Sequence, residues 1–202
     1  MILKDKILHF SREKFLSNGI SNVTMDDIAK EMRISKKTIY KFFPAKQDLV
    51  HESVFGMLDS VKKSFVEVTD GQQNSIEKLS AIGKIFFALA KKFSENWLND
   101  LKINNYNLWI QVDEFRTKAI GENFSKIIEQ GKQEGYFLDK PTPIILVIFI
   151  SSIRAVINPE FLMNNSFSAE TAAKITLDHL FTGLLTKQGR KVYKQLKMEL
   201  EP

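Results

Sequence analysis

A chain of 202 residues without a cysteine can bury a core without disulfide staples, and it can hold neither a zinc-thiolate centre, a cysteine nucleophile nor a thiol redox switch. Its formal charge of +5 and pI near 9.2 favour a polyanionic partner, but an excess of this size is common on soluble surfaces, so where the cations sit matters more than their sum. No secretory leader is read at the start, and the longest aliphatic and aromatic run, Ile144 to Ile150, falls well short of the about 18 apolar residues of a membrane span. A soluble, cytoplasmic protein is therefore expected.

Apolar residues recur at three and four rather than at two, and proline and glycine are few, so the chain reads as all-α. A first helix is expected from about Leu3 to Ser17, with Ile7, Phe10 and Phe15 turned inward and Asn18-Gly19 as a left-handed stop. Thr24 then caps a short second helix whose first turn carries Asp26 and Asp27, where the helix dipole favours negative charge. Ile28, Ala29 and Met32 form its inner stripe.

A turn through Arg33-Ile34-Ser35 leads to a third helix, Lys36 to Phe43, which Pro44 stops because the residue before proline avoids helical geometry. At about 100° per residue, Lys36, Lys37, Tyr40 and Lys41 fall on one arc and Ile39, Phe42 and Phe43 on the other. Between Arg33 and Lys46 there is no acidic residue.

A long helix is expected from Lys46 to about Val68, ended by Asp70-Gly71. Ser75 is expected to cap the next, with Leu79, Ile82, Phe86 and Leu89 on its inner side. One short helix containing Trp97 should precede a long one ending at Gly135. Pro141 and Pro143 open a very apolar helix reaching about Ile157. Being apolar all round, it should meet the core on one side and a partner subunit on the other. Ser168 caps the last long helix, which also carries more apolar surface than one core face requires. In the tail, Lys187, Arg190, Lys191, Lys194 and Lys197 make a second basic stretch, followed by Glu199 and Glu201.

Two short helices joined by a tight turn, the second presenting cations and hydrogen-bonding tips outward, match a helix-turn-helix able to enter a major groove. Phosphate neutralisation would supply affinity, and groups near the start of the second helix would reach base edges. The run Val23-Thr24-Met25-Asp26-Asp27-Ile28-Ala29, followed by Ile34-Ser35-Lys36-Lys37-Thr38-Ile39-Tyr40-Lys41-Phe42-Phe43-Pro44-Ala45-Lys46-Gln47-Asp48-Leu49, closely resembles the DNA-binding domain of the tetracycline-repressor (TetR) family. The segment Ile127 to Phe137, with Asp139 and Pro141 after it, is similar to a phrase of that family's second domain.

The resemblance implies a three-helix DNA reader on a helical effector and dimerisation domain, usually a ligand-released repressor. It implies a phosphate contact for Thr24, phosphate or base contacts for Ser35 and Thr38, backbone contacts for Tyr40 and Lys46, and a groove-facing role for Lys36, Lys37 and Lys41. Lys37 is the candidate for reading a guanine edge, since lysine donates to O6 and N7. Two positions depart from the family. Arg33 stands where glycine is common, and Ala45 stands where a capping serine or asparagine is common.

The domains expected are therefore a helix-turn-helix reader over residues 1–46 and a ligand-binding, dimerising domain over 47–202, with the last two long helices as the interface of a homodimer. The partners expected are double-stranded operator DNA of near-palindromic sequence and a small-molecule effector, without a membrane. Trp109 and Phe124 are candidate pocket residues, because cavities between helices are lined mainly by apolar and aromatic groups. Arg154 interrupts an apolar helix, and a guanidinium there needs a partner: an ion pair, or the anionic group of a ligand. His9, His51 and His179 are far apart and lack metal-ligand spacing, and no phosphate loop or nucleophile elbow is present, so neither metal, cofactor nor enzymatic activity is expected. The alternative is a helical small-molecule binding protein whose reader has lost its target.

Overall fold

The three- and four-residue recurrence is realised as helix along nearly the whole chain. The computed structural model describes residues 2–200, with side chains as far as residue 196. Met1, Glu201 and Pro202, at the outer ends of the two expected domains, lie outside the described residues, as do the side chains of Lys197 and Glu199. By packing, the chain divides into two compact units, one drawn from Met1–Ser60 and Lys92–Val112, the other from Val61–Lys91 and Asp113–Pro202.

The first unit begins with α1 (Leu3–Asn18), α2 (Met25–Met32) and α3 (Lys36–Phe42), followed by the start of α4 (Lys46–Asp70). Ile7, Phe15, Leu16, Ile28, Ile39 and Phe43 are all buried, and α1 packs on α2 while α2 packs on α3. Gly19 has φ 89° and ψ 158°, so the stop after α1 uses a positive φ but not the left-handed helical well expected for it. A Cβ there would lie 2.8 Å from the Cβ of Asn96 and 2.8 Å from an Asp100 oxygen, which is why glycine serves. That close neighbour belongs to α6 (Glu95–Asn99), the expected short helix with Trp97 buried. Ser94 caps α6, accepting from the Trp97 N–H at 3.1 Å, and its own N–H donates to the Leu16 carbonyl at 3.0 Å. A π-helical turn, Asp100–Asn104, runs on directly from α6 before α7 (Tyr106–Gln133) starts.

The second unit holds α5 (Ser75–Lys92), most of α7, then α8 (Thr142–Val156), α9 (Pro159–Asn165), α10 (Ala169–Leu184) and α11 (Lys187–Leu200). Its core joins Phe65, Leu79, Ile82, Ile127, Phe149 and Phe181, among others. Ser75 is the first helical residue of α5 and not its cap. The cap is Asn74, whose side-chain oxygen accepts from the N–H groups of Ile76 and Glu77 at 3.0 Å each, while the Glu77 carboxylate takes the Asn74 N–H. Ser168 caps α10 as expected. Of the apolar α8, one side is buried through Ile145, Phe149 and Ile153, and another exposes Ile144, Val147 and Ile148. Among the described residues no single helix is long and apolar enough to cross a membrane.

Candidate nucleic-acid interface and effector cavity

The site is built from caps. Ahead of α2, the Thr24 N–H and hydroxyl donate to the Asp27 carboxylate at 2.9 and 2.6 Å, and the Asp27 N–H donates back to the Thr24 hydroxyl at 3.1 Å. This reciprocal box satisfies the first turn. The Thr24 side chain, then its backbone N–H, hold the Asp27 carboxyl below the usual carboxylate range.

The link to α3 turns at Arg33, whose φ of 56° and ψ of 41° are left-handed. Its N–H reaches Lys30 and Ala29, and the Ile34 N–H reaches the Ala29 carbonyl at 3.0 Å, the pattern that glycine usually closes. Arg33→Gly should therefore stabilise the fold by about 1 kcal/mol by removing the left-handed penalty. In urea the midpoint should rise with its slope unchanged; a lowered midpoint would show that the arginine side chain contributes more than its backbone costs.

Ser35 caps α3, accepting from the Thr38 N–H at 3.0 Å, with the two hydroxyls 2.7 Å apart. The helix runs Lys36–Phe42, and Phe43 is already extended before Pro44. Its two faces separate: Ile39 and Phe43 have 0% exposure and Phe42, expected beside them, is only half-buried, whereas Tyr40 is 40% exposed and Lys36, Lys37 and Lys41 are exposed beside it. Lys36 donates to Asp26 of α2 at 2.7 Å, a bond that raises its ammonium pKa. Lys37 and Lys41 have no ion pair among the described residues, so their charge is available to an outside anion.

Lys46 is placed differently. Its ammonium turns in and donates to the Ile20 carbonyl at 2.6 Å. Burial lowers its pKa, with the charges of Asp100 and Asp27 opposing.

Ile20 belongs to a loop held by residues that sequence reasoning missed. Asp100, buried in the π-helical turn, accepts from the Ser21 N–H at 2.7 Å, the Ser21 hydroxyl at 2.6 Å and the Asn104 amide at 2.8 Å. Burial opposes its ionisation, but these bonds together outweigh it and hold the carboxyl below the usual range. Ser21 lies three residues before Thr24, so this latch fixes the entry to the capping box of α2.

In the second unit, Phe65, Phe86, Phe124, Phe149 and Phe181 line an apolar cavity with Ile120 and Ile153 among its other walls. Its free space is about 20 Å³, room for about one water. Phe124 and Phe149 approach to 4.6 Å between ring centroids. Of the residues named from sequence, Phe124 lines this cavity. Trp109 does not, and neither does Arg154. Arg154 instead bonds the Asp113 carboxylate through Nε at 3.0 Å and Nη2 at 2.6 Å, and the Thr117 hydroxyl at 2.7 Å. Asp113 is also bonded by Arg116. Burial works against its ionisation, and the two arginines overcome that and hold its pKa low.

Comparison with known proteins places these elements. Residues 7–53 match the family model described as bacterial regulatory proteins, tetR family. Over 167 residues, 80% of this chain and 85% of the relative, the sequence is 24% identical to the uncharacterized HTH-type transcriptional regulator YvaF of Bacillus subtilis. It is 22% identical to the HTH-type transcriptional repressor KstR2 of Mycolicibacterium smegmatis, covering 93% of each chain. The fold is similar to the crystal structure of a TetR-family transcriptional regulator from Marinobacter aquaeolei, with a TM-score of 0.74 at 20% identity and full coverage of both chains.

Proposed function

We propose that the chain is a regulator of the tetR family, whose model residues 7–53 match, and that it is a ligand-responsive transcriptional repressor that binds a near-palindromic operator as a homodimer and is released by a small molecule. The observation that carries this reading is the division of α3, with Ile39 and Phe43 beneath and Lys37, Tyr40 and Lys41 outward. A surface with cations near a helix start is what a duplex requires.

Residues 1–46 are the reader in this proposal, with Thr24, Ser35 and Thr38 near phosphates or base edges and Lys37 at a guanine. Residues 47–202 bind effector and pair subunits. The pairing face is the exposed apolar side of α8 with α10, on which Val147 is 63% and Ile175 52% exposed and which pack on one another. Exposed aliphatic surface on adjoining helices supports a self-complementary interface. The protein acts in the cytoplasm, by binding and not by catalysis. The effector favours a dimer whose readers are wrongly spaced for the operator, which requires it to bind that arrangement more tightly.

Selection of binding sites from random duplex DNA tests the proposal. A two-part sequence with inverted halves about one helical turn apart is expected. Recovery of no common sequence would favour a binding protein whose reader has lost its target.

A further inference from the structure

Along α7, Asp113, Arg116, Thr117, Ile120 and Phe124 recur at three and four and share one face. Ile120 and Phe124 line the aromatic cavity, as does Ile153, the neighbour of Arg154 on α8. One turn before the cavity the same face carries an ionic cluster that does not balance. Arg116 and Arg154 share the single carboxylate of Asp113, two positive charges against one negative. The Nε of Arg116 is buried and has no acceptor among the described residues. A buried charged donor without an acceptor is rare in folded proteins, and it calls for an acceptor from outside the chain.

We propose that the cluster and the cavity form one site for an amphipathic monoanion, with its carboxylate on Arg116 and Arg154 and its apolar body among Phe86, Phe124, Phe149 and Phe181. One uncompensated positive charge matches one negative charge, and the planar carboxylate fits the guanidinium fork. The cavity walls are apolar apart from Asn123, whose amide is bonded to the Ala119 carbonyl. Four residues of α7, about 6 Å along its axis, separate Arg116 from Ile120, a span that a medium-length alkyl chain covers. The cavity has room for little more than a water, so the apolar body enters by parting the phenylalanine rings. This inference rests on the effector reading above for its biological role, but not for its test.

Titration calorimetry of the full chain with octanoate, octanol and octylammonium separates the terms. Octanoate should bind about tenfold more tightly than octanol, as a charge-assisted hydrogen bond allows, and octylammonium should not bind. Arg154→Gln, at a half-exposed position, should remove the octanoate advantage and leave octanol unchanged. Arg116→Lys, which keeps the charge but loses the fork, should weaken octanoate; if that variant does not fold, Arg154→Gln decides alone. Equal binding of octanoate and octanol, no octanoate binding, or an octanoate affinity untouched by Arg154→Gln overturns the site. Arginine-dependent binding that leaves operator affinity unchanged upholds the site and overturns the release mechanism instead.

Discussion

Asp100→Ala should cost about 3 kcal/mol of stability, because hydrogen bonds to a charged group contribute about 1.5–3 kcal/mol and this carboxylate serves several donors at once. The change removes the shared acceptor of the Ser21 N–H and hydroxyl and of the Asn104 amide, leaving between them only the longer Asn104–Ser21 bond at 3.3 Å. It also frees the loop that delivers Thr24 to the head of α2, so operator affinity should fall in proportion to the molecules whose capping box is out of place. No phosphate-binding group is removed, so the salt dependence of binding should keep its slope. The pH dependence has a definite sign. The folded-state pKa of Asp100 is depressed, so its stabilisation is complete above the unfolded value of about 3.9 and is lost as pH falls through the lower folded value. In chemical denaturation, the gap between parent and Asp100→Ala should be level near neutrality and close in strong acid. A gap absent at neutral pH would mean that the latch does not hold the loop.

The latch also marks where sequence reading stops. Thr24 at the head of α2 and Phe43 before Pro44 were readable because caps and proline steric effects are local, whereas Ser35 was read only as part of the turn and as a DNA contact, although its cap on the Thr38 N–H is equally local. The split faces of α3 follow from the helical period alone. Asp100 and Ser21 are 79 residues apart, and nothing in a local pattern marks a carboxylate that will accept from a distant loop. A π-helical turn widens the helix by one residue without a change in composition, so the turn at Asp100–Asn104 left no trace. Asn74 and Ser75 are both good caps, and only the register of α5 chooses between them. The tail from Lys187 read as a basic stretch because its cations stand out in the sequence, yet it is the helix α11, whose Val192, Tyr193 and Leu196 pack against the core, and it is begun by Thr186, whose hydroxyl accepts from the Gly189 N–H at 3.1 Å. Arg154 stood out as a charge in an apolar helix, but its partners Asp113 and Thr117 lie on another helix. The cavity could be expected in kind but not in place: Phe124 was legible as a wall and Trp109 was not distinguishable from it, since aromatic residues line cores and cavities alike.

The exposed face of α3 is what the DNA-binding role depends on, and the second large effect belongs to it. The logarithm of affinity falls against the logarithm of salt by about 0.9 for each phosphate neutralised, and in the proposed dimer the free cations of two such faces, Lys37 and Lys41 in each, should give a clear negative slope. Lys37→Ala should relax the choice at one base pair of each half-site, at about 1–3 kcal/mol of discrimination. Tyr40→Phe should weaken all sequences alike. Lys41→Ala should flatten the salt slope by about one unit for each phosphate it no longer neutralises. The most direct measurement is operator affinity as a function of salt for the parent and these three variants, against the selected site and against copies altered at each base pair. A clear negative parent slope, loss of base choice confined to Lys37→Ala, and a flatter slope for Lys41→Ala are the expected results. A flat parent response, or base choice unchanged by Lys37→Ala, would contradict the assignment of α3 as the reading helix.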